Sequence, residues 1–563
     1  MYALKNARIY TPQETEAGSV IVTDGRDIAY IGDEAGAEAY IAGGKTGAGE
    51  EVKTYDLAGK TVLPGFIDAH THPGICAESA WHVKLPWTED PQVVLDFIGE
   101  YAKVHSKEEV PFLYFEYYPT SMFGKEGPKK EMLDAVVSDR PVLCQDFGEH
   151  LSWVNSKMLE LMGVDRDTPD PTELEIFVRD EDGEPTGWVR ERAWAHFLDR
   201  MYDAIGWRQP VASSEEMLAP VMDFFRDSGI TAMFDGVIET DELIKTIYDM
   251  DRAGRLYTYY DGSVRFWHYA DLPGKIEKLR EYQRLYTTDH IKFNTMKLFL
   301  DGTNETGNAA SIEELNDSPG NYGEIMMEEE ELVDCFLLCN REGLDLHIHM
   351  VGDRAFRTAC DAVEKAQALA AGAGEAWVCR PVFAHCESVH PSDMGRPAGL
   401  GIYVNWTCHW SGGYFGDEAL NFYSREKWNG MYQFNPMIDS GANVSYSSDV
   451  VTYYELHRAA PFFGMQVAAT RVDPEFPLDP EKYPGSMRPE ASAKLGIRDL
   501  IEGYTEAGAR QLRWDDKLGS IEAGKIANLV IVDRDPCEVP PEELKDVRIE
   551  AVMFDGKVVS GKL

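Results

Sequence analysis

The chain is poor in the features that would bind it to a bilayer, a nucleic acid or an oxidising exterior. No apolar run reaches the ~20 residues of a membrane span. The opening residues, MYALKNARIYTPQ, lack the basic start, apolar stretch and small-residue cleavage site of an export signal. Basic residues number 54 against 97 acidic ones, and the formal charge of -43 works against binding nucleic-acid phosphates or an anionic membrane surface. The cysteines, at positions 76, 144, 335, 339, 360, 379, 386, 408 and 537, form no C-x-x-C pair and no dense cluster. That spacing argues against a disulfide framework and fits a reducing compartment. These absences together predict a cytoplasmic protein with a small-molecule substrate, no nucleic-acid or membrane partner, and self-association left open.

What is present is enough apolar material for a large core: 44% of 563 residues are hydrophobic. Both ends are β-rich. Tyr2 to Tyr10, Ser19 to Thr23 and Asp27 to Ile31 read as strands separated by turns, and so do Ala527 to Val532, Ile549 to Phe554 and a last KVVS strand. The pattern predicts a composite β-sandwich from residues 1–61 and 515–563. Between them run eight apolar strand-like segments, beginning near 62, 230, 256, 291, 344, 381, 400 and 442. From the second onward their spacing leaves room for a crossover helix each time, as a (β/α)₈ barrel requires. The barrel is therefore assigned to 62–79 and 216–514. The long gap after the first segment predicts an inserted α/β subdomain over 80–215, with a strand in PVLCQDF (141–147) and a polar loop over 167–175. Glu328 to Glu331 reads as a charged first turn of a helix, where the backbone dipole favours acids.

The chemistry lies at the ends of these segments. In DAHTHP, His70 and His72 stand two apart on an extended stretch, so both point to one face, at the C-terminal mouth where barrel enzymes place their sites. Lys297, His349, His385 and Asp449 occupy four further strand ends. Imidazoles and carboxylates are natural donors for Zn²⁺ or a similar ion. Lys297 fits only if deprotonated or modified, because an ammonium repels a cation. His347, two residues before His349, reads as a core histidine deeper in the barrel.

The blocks LPGFIDAHTHP, HLSWVNSKMLE, MKLFLDGT, HMVGDRAF, AHCESVHPSD and LGSIEAGKIANLVIVDRDP resemble the amidohydrolase superfamily, in particular its YtcJ-like branch that includes N-substituted formamide deformylases. The resemblance covers nearly the whole chain. It implies His70 and His72 on one divalent metal, His349 and His385 on a second, and Lys297 bridging both as a CO₂-derived carbamate. A single ion held without a modified Lys297 is the alternative. Asp449 would touch the first metal and act as the catalytic proton-transfer base. The implied reaction is hydrolysis of a non-peptide C–N bond, of N-formyl, N-acyl or cyclic amide type, by cation-activated hydroxide. Three residues are candidates for substrate contact: His150 and Glu191, which fall in family-like blocks, and His409, which follows the seventh segment. Near His409 the chain departs from the family, with Trp406 and Thr407 where a Gln-Pro pair is usual. Two rival readings are a mononuclear aromatic-amine deaminase and a non-catalytic regulatory protein on the same fold. The first expects a glutamate where this chain has Gly352. The second gives no reason to retain all six ligand-type residues.

Overall fold

The computed structural model describes residues 1–12, 15–43, 52–209, 214–316, 318–476, 481 and 493–563. All eight sequence-read barrel segments form strands of one parallel sheet: β1 (Phe66–Thr71), β2 (Ile230–Asp235), β3 (Tyr259–Arg265), β4 (Ile291–Phe299), β5 (Asp345–Met350), β6 (Pro381–His385), β7 (Tyr403–Thr407) and β8 (Asn443–Ser447). Each pairs with the next in chain order. Strands such as β2 (ITAMFD) are buried along their whole length, as staves covered on both faces must be. The seam between β8 and β1 is closed by hydrogen bonds. The Asp449 N–H donates to the His70 carbonyl at 2.9 Å, and the Ser448 N–H and hydroxyl donate to the two Asp68 carboxylate oxygens at 3.0 and 2.5 Å.

Crossover helices pack outside. The helix Glu329–Glu342 starts with three acidic residues in its first turn and ends at Gly343, whose φ of 66° supplies the left-handed cap. The acidic run at 328–331 thus has a structural role.

Residues 62–72, read as one strand, divide at Gly65. Thr61–Pro64 pairs with Tyr2–Tyr10 and Leu529–Val532 in the terminal sheet, while Phe66 opens β1. A Cβ on Gly65 would lie 2.2 Å from the Thr231 Oγ1, so only glycine lets the chain pass from one sheet to the other here. The strands from both chain ends form one eight-stranded sheet, with Leu529–Val532 antiparallel to Thr61–Pro64. A third sheet has six strands spanning Val83 to Arg190, with the expected strand at Val142–Asp146 near its centre. Among the described residues no helix is long and apolar enough to cross a membrane.

Candidate metal centre

Six chemistry-bearing side chains from five staves converge at the C-terminal mouth of the barrel. His70 and His72 leave the end of β1, Lys297 lies near the end of β4, His349 near the end of β5, His385 ends β6, and Asp449 follows β8. All are buried. The His72 Nε2 stands 3.2 Å from the Asp449 Oδ1, the His70 Nε2 3.7 Å from the same oxygen, and the His385 Nδ1 3.5 Å from Oδ2. The donor atoms of His70, His72 and Asp449 lie within 4.8 Å of one another. The rings of His349 and His385 are 4.3 Å apart, and those of His70 and His385 5.1 Å. The Lys297 Nζ is 3.2 Å from the His70 Nε2.

The cluster has the electrostatics of a candidate cation site. Burial holds His70, His349 and His385 well below the ordinary imidazole pKa, and Lys297 and neighbouring imidazoles push them the same way, so their nitrogens are available as neutral donors. Burial also brings Lys297 down to about 7, against the attraction of Asp449. The buried His72 Nδ1, His349 Nε2 and His385 Nδ1 have no hydrogen-bond partner among the described residues. An orphaned buried donor or acceptor costs about 1–3 kcal/mol, and the His349 and His385 nitrogens lie in the cluster where a ligand would offset that cost. The donor set suits a divalent ion.

The surroundings position these groups. His347 lies deeper on β5, as read from the sequence, and a 3.1 Å hydrogen bond joins its Nε2 and the His70 Nδ1, while Phe234 stacks on its ring at 4.6 Å. That contact turns the His70 Nε2 toward Lys297 and Asp449. Gly236, just past β2, lies against the pair from β1. A Cβ there would come within 2.5 Å of His72 and 2.7 Å of the His70 Nε2. His385 and Asp449 both adopt left-handed backbone, at φ 74° and 46°. Such conformations cost of order 1–3 kcal/mol in a non-glycine residue and persist where the surroundings fix them.

The centre opens into a cavity of about 880 Å³, counting its mouth. The inserted region supplies part of the wall. His150 and Glu191, both candidates from the sequence, line the cavity and pair at 2.8 Å. Burial works against protonated His150, but the charge and hydrogen bond of Glu191, aided by Glu305 and Asp146, raise it to about 10. His409 is not among the lining residues. It is buried in the turn Cys408–Ser411, and the next residue, Trp410, faces the cavity and stacks on His385 at 5.4 Å. Trp410, rather than the expected His409, therefore lines the cavity. Trp406, at the departure from the family pattern, packs in the core against Phe434 at 3.9 Å.

Sequence reading missed Trp410, Arg192, Arg265 and Gly236. Trp410, Arg265 and Gly236 sit on loops or strand ends with no local motif, whereas Arg192 adjoins Glu191 in its family-like block and Arg265-Phe-Trp267 offered an aromatic-cation step.

A parallel barrel with a histidine-carboxylate cluster at its C-terminal mouth defines an enzyme-type scaffold of the hydrolase class. The profile of the amidohydrolase family matches residues 53–560, and the chain belongs to that family. It is 25% identical to the N-substituted formamide deformylase of Arthrobacter pascens, over 98% of this chain and 96% of that protein. It is 28% identical to the exoenzymes regulatory protein AepA of Pectobacterium carotovorum, over 74% of this chain and 86% of that one. In fold it resembles an uncharacterized metal-dependent hydrolase from Pyrococcus horikoshii, with a TM-score of 0.69, 22% identity, and coverage of 96% of this chain and 99% of that one.

Proposed function

We propose that this chain is a metal-dependent hydrolase that cleaves a non-peptide C–N bond of amide type, with N-formyl and N-acyl amides as the first candidates. The observation that carries this reading is the convergence of the His70, His72 and Asp449 donor atoms within 4.8 Å, with His349 and His385 beside them bearing buried nitrogens that have no hydrogen-bond partner among the described residues. Full-length similarity to a formamide deformylase supports the choice of bond.

On this reading His70, His72 and Asp449 hold one divalent ion, and His349 and His385 hold a second. Zinc is the first choice for such nitrogen and oxygen donors. Lys297 joins them as a carbamate: its neutral amine adds to the carbon of CO₂ and loses a proton, which turns a repelling cation into an anion with two oxygens. The lowered pKa of Lys297 supports this step, because the free amine is the reactive form. When bound, the metal supplies Lewis acidity that makes water a nucleophile near neutral pH and polarises the scissile carbonyl. Asp449 takes the proton of the attacking water on a carboxylate oxygen and returns it to the departing nitrogen. The barrel wall and inserted region exclude bulk water, and the His150–Glu191 pair faces the substrate.

We further propose a cytoplasmic location and, as domains, the units 1–61 with 515–563, 62–79 with 216–514, and 80–215. A regulatory, non-catalytic reading has the similarity to AepA in its favour. One experiment separates the two: a formamide and amide substrate screen on metal-loaded protein, before and after chelation. Hydrolysis lost on chelation and restored by Zn²⁺ is expected. Turnover that survives complete metal removal would sink the proposal, and inactivity on every amide tested would favour the regulatory reading.

A further inference from the structure

Arg265 is the last residue of β3 and lies in parallel register beside Lys297 of β4. Its guanidinium lies over the Trp267 ring at 4.9 Å and near the Phe299 ring at 5.9 Å. Phe299 in turn stacks on His349 at 4.7 Å and 23°. One aromatic ring thus separates a fixed cation from the candidate centre, and Arg265, Trp267 and Phe299 all line its cavity.

Among the described residues no carboxylate approaches the Arg265 guanidinium within 4.0 Å, and its N–H groups make no side-chain hydrogen bond. Half-buried arginines at a cavity wall are ordinarily paired, because the planar fork matches a carboxylate with two parallel bonds. Arg192, from the inserted region, also lines the cavity, over Trp194 at 5.1 Å, and it too lacks an ion pair within 4.0 Å among the described residues. Its field is shared with Glu78, Glu149 and Glu239, whereas Arg265 has Glu239 as its acidic neighbour. Glu239 lines the same cavity and feels the charge of Arg265, but among the described residues it makes no ion pair with it within 4.0 Å.

We infer that Arg265 is a specificity-determining residue that binds an anionic group of the substrate, so that the preferred amide carries a carboxylate together with an apolar or aromatic group lodged against Trp267 and Trp410. Stacking on two rings holds the guanidinium ready without spending its N–H donors, which stay aimed at the ligand. The inference rests on the hydrolase reading for the nature of the substrate, but its test does not need turnover.

Binding is measured by calorimetry on the full-length protein after chelation, with N-formylphenylalanine and with N-formylphenethylamine, which differs only in lacking the carboxylate. The wild type should bind the acid about tenfold or more tightly, the scale of one charge-assisted hydrogen-bonded contact. Arg265→Gln should abolish that preference, and Arg265→Lys, which keeps the charge but not the fork, should retain part of it. Equal affinities in the wild type, or an unaltered preference in Arg265→Gln, would overturn the assignment. Lack of hydrolysis in the metal-loaded protein alongside a carboxylate preference that Arg265→Gln removes would count against the proposed reaction and leave Arg265 as an anion-binding residue.

Discussion

Lys297 and His347 show how much one side chain decides here. On the proposed reading Lys297→Ala removes the bridge between two ions. Bound metal per chain, measured by elemental analysis, should fall, and activity should drop by more than the about 10–100-fold that loss of an outer-sphere partner costs. An extra carboxyl on Lys297 should be visible by mass or crystallography in the wild type, and metal stoichiometry equal in mutant and wild type would remove the bridging role. Among the described residues the candidate donor that His347 hydrogen-bonds is His70, through the 3.1 Å contact with Nδ1. His347→Ala should therefore lower metal affinity about 10–100-fold by letting the His70 ring turn. His347→Gln, which can still accept from the His70 Nδ1, should recover part of the loss in a metal-competition titration. A purely packing role would show no such rescue.

At the scale of elements, the site depends on how closely adjacent staves approach. The turn after β2 passes so near β1 that Gly236 has no room for a side chain: the first added carbon would sit 2.5 Å from His72. Gly236→Ala should leave circular dichroism and overall folding close to wild type while lowering metal occupancy and activity by about tenfold or more, since a displacement near 1 Å at a catalytic centre can cost a hundredfold. The eight staves were legible in the sequence because each is a short apolar run, followed from the second onward by a gap long enough for a helix, and a parallel barrel places the C-terminal ends at a common mouth. His70, His72, Lys297, His349, His385 and Asp449 could be picked out because each ends such a run. The split at Gly65 was not legible, because the residues on both sides are equally apolar and only pairing partners distinguish the sheets.

Across the whole molecule, one histidine joins the barrel to the terminal sheet. The His290 Nδ1 is 2.6 Å from the Asp251 carboxylate of the helix Asp241–Arg252, and its Nε2 is 2.9 Å from Asp555, next to the strand Ile549–Phe554. Burial opposes the imidazolium, yet hydrogen bonds and charge from Asp251 and Asp555 raise it to about 9. The folded value lies above the unfolded value of about 6.5, so this contact stabilises fully below about pH 6.5 and is lost as pH rises toward 9. His290→Gln should lower Tm at pH 6, by the equivalent of about 1–3 kcal/mol, and the gap to wild type should close above pH 9. A gap that persists unchanged at pH 10 would mean that packing, not charge, joins the two units at this point.

The sequence alone determined the kind of molecule this is. Alternating and continuous apolar runs specify strands and their order, and residues at strand ends specify which donors meet at the mouth, because strand geometry and barrel topology are local rules repeated eight times. Tertiary structure alone decided what surrounds those donors: the contact of His347 with His70, the closeness of Gly236, the turning of Trp410 rather than His409 toward the cavity, and the stacking of the Arg265 guanidinium over Trp267. These depend on distances between segments remote in the chain, and no local periodicity encodes a distance across a cavity.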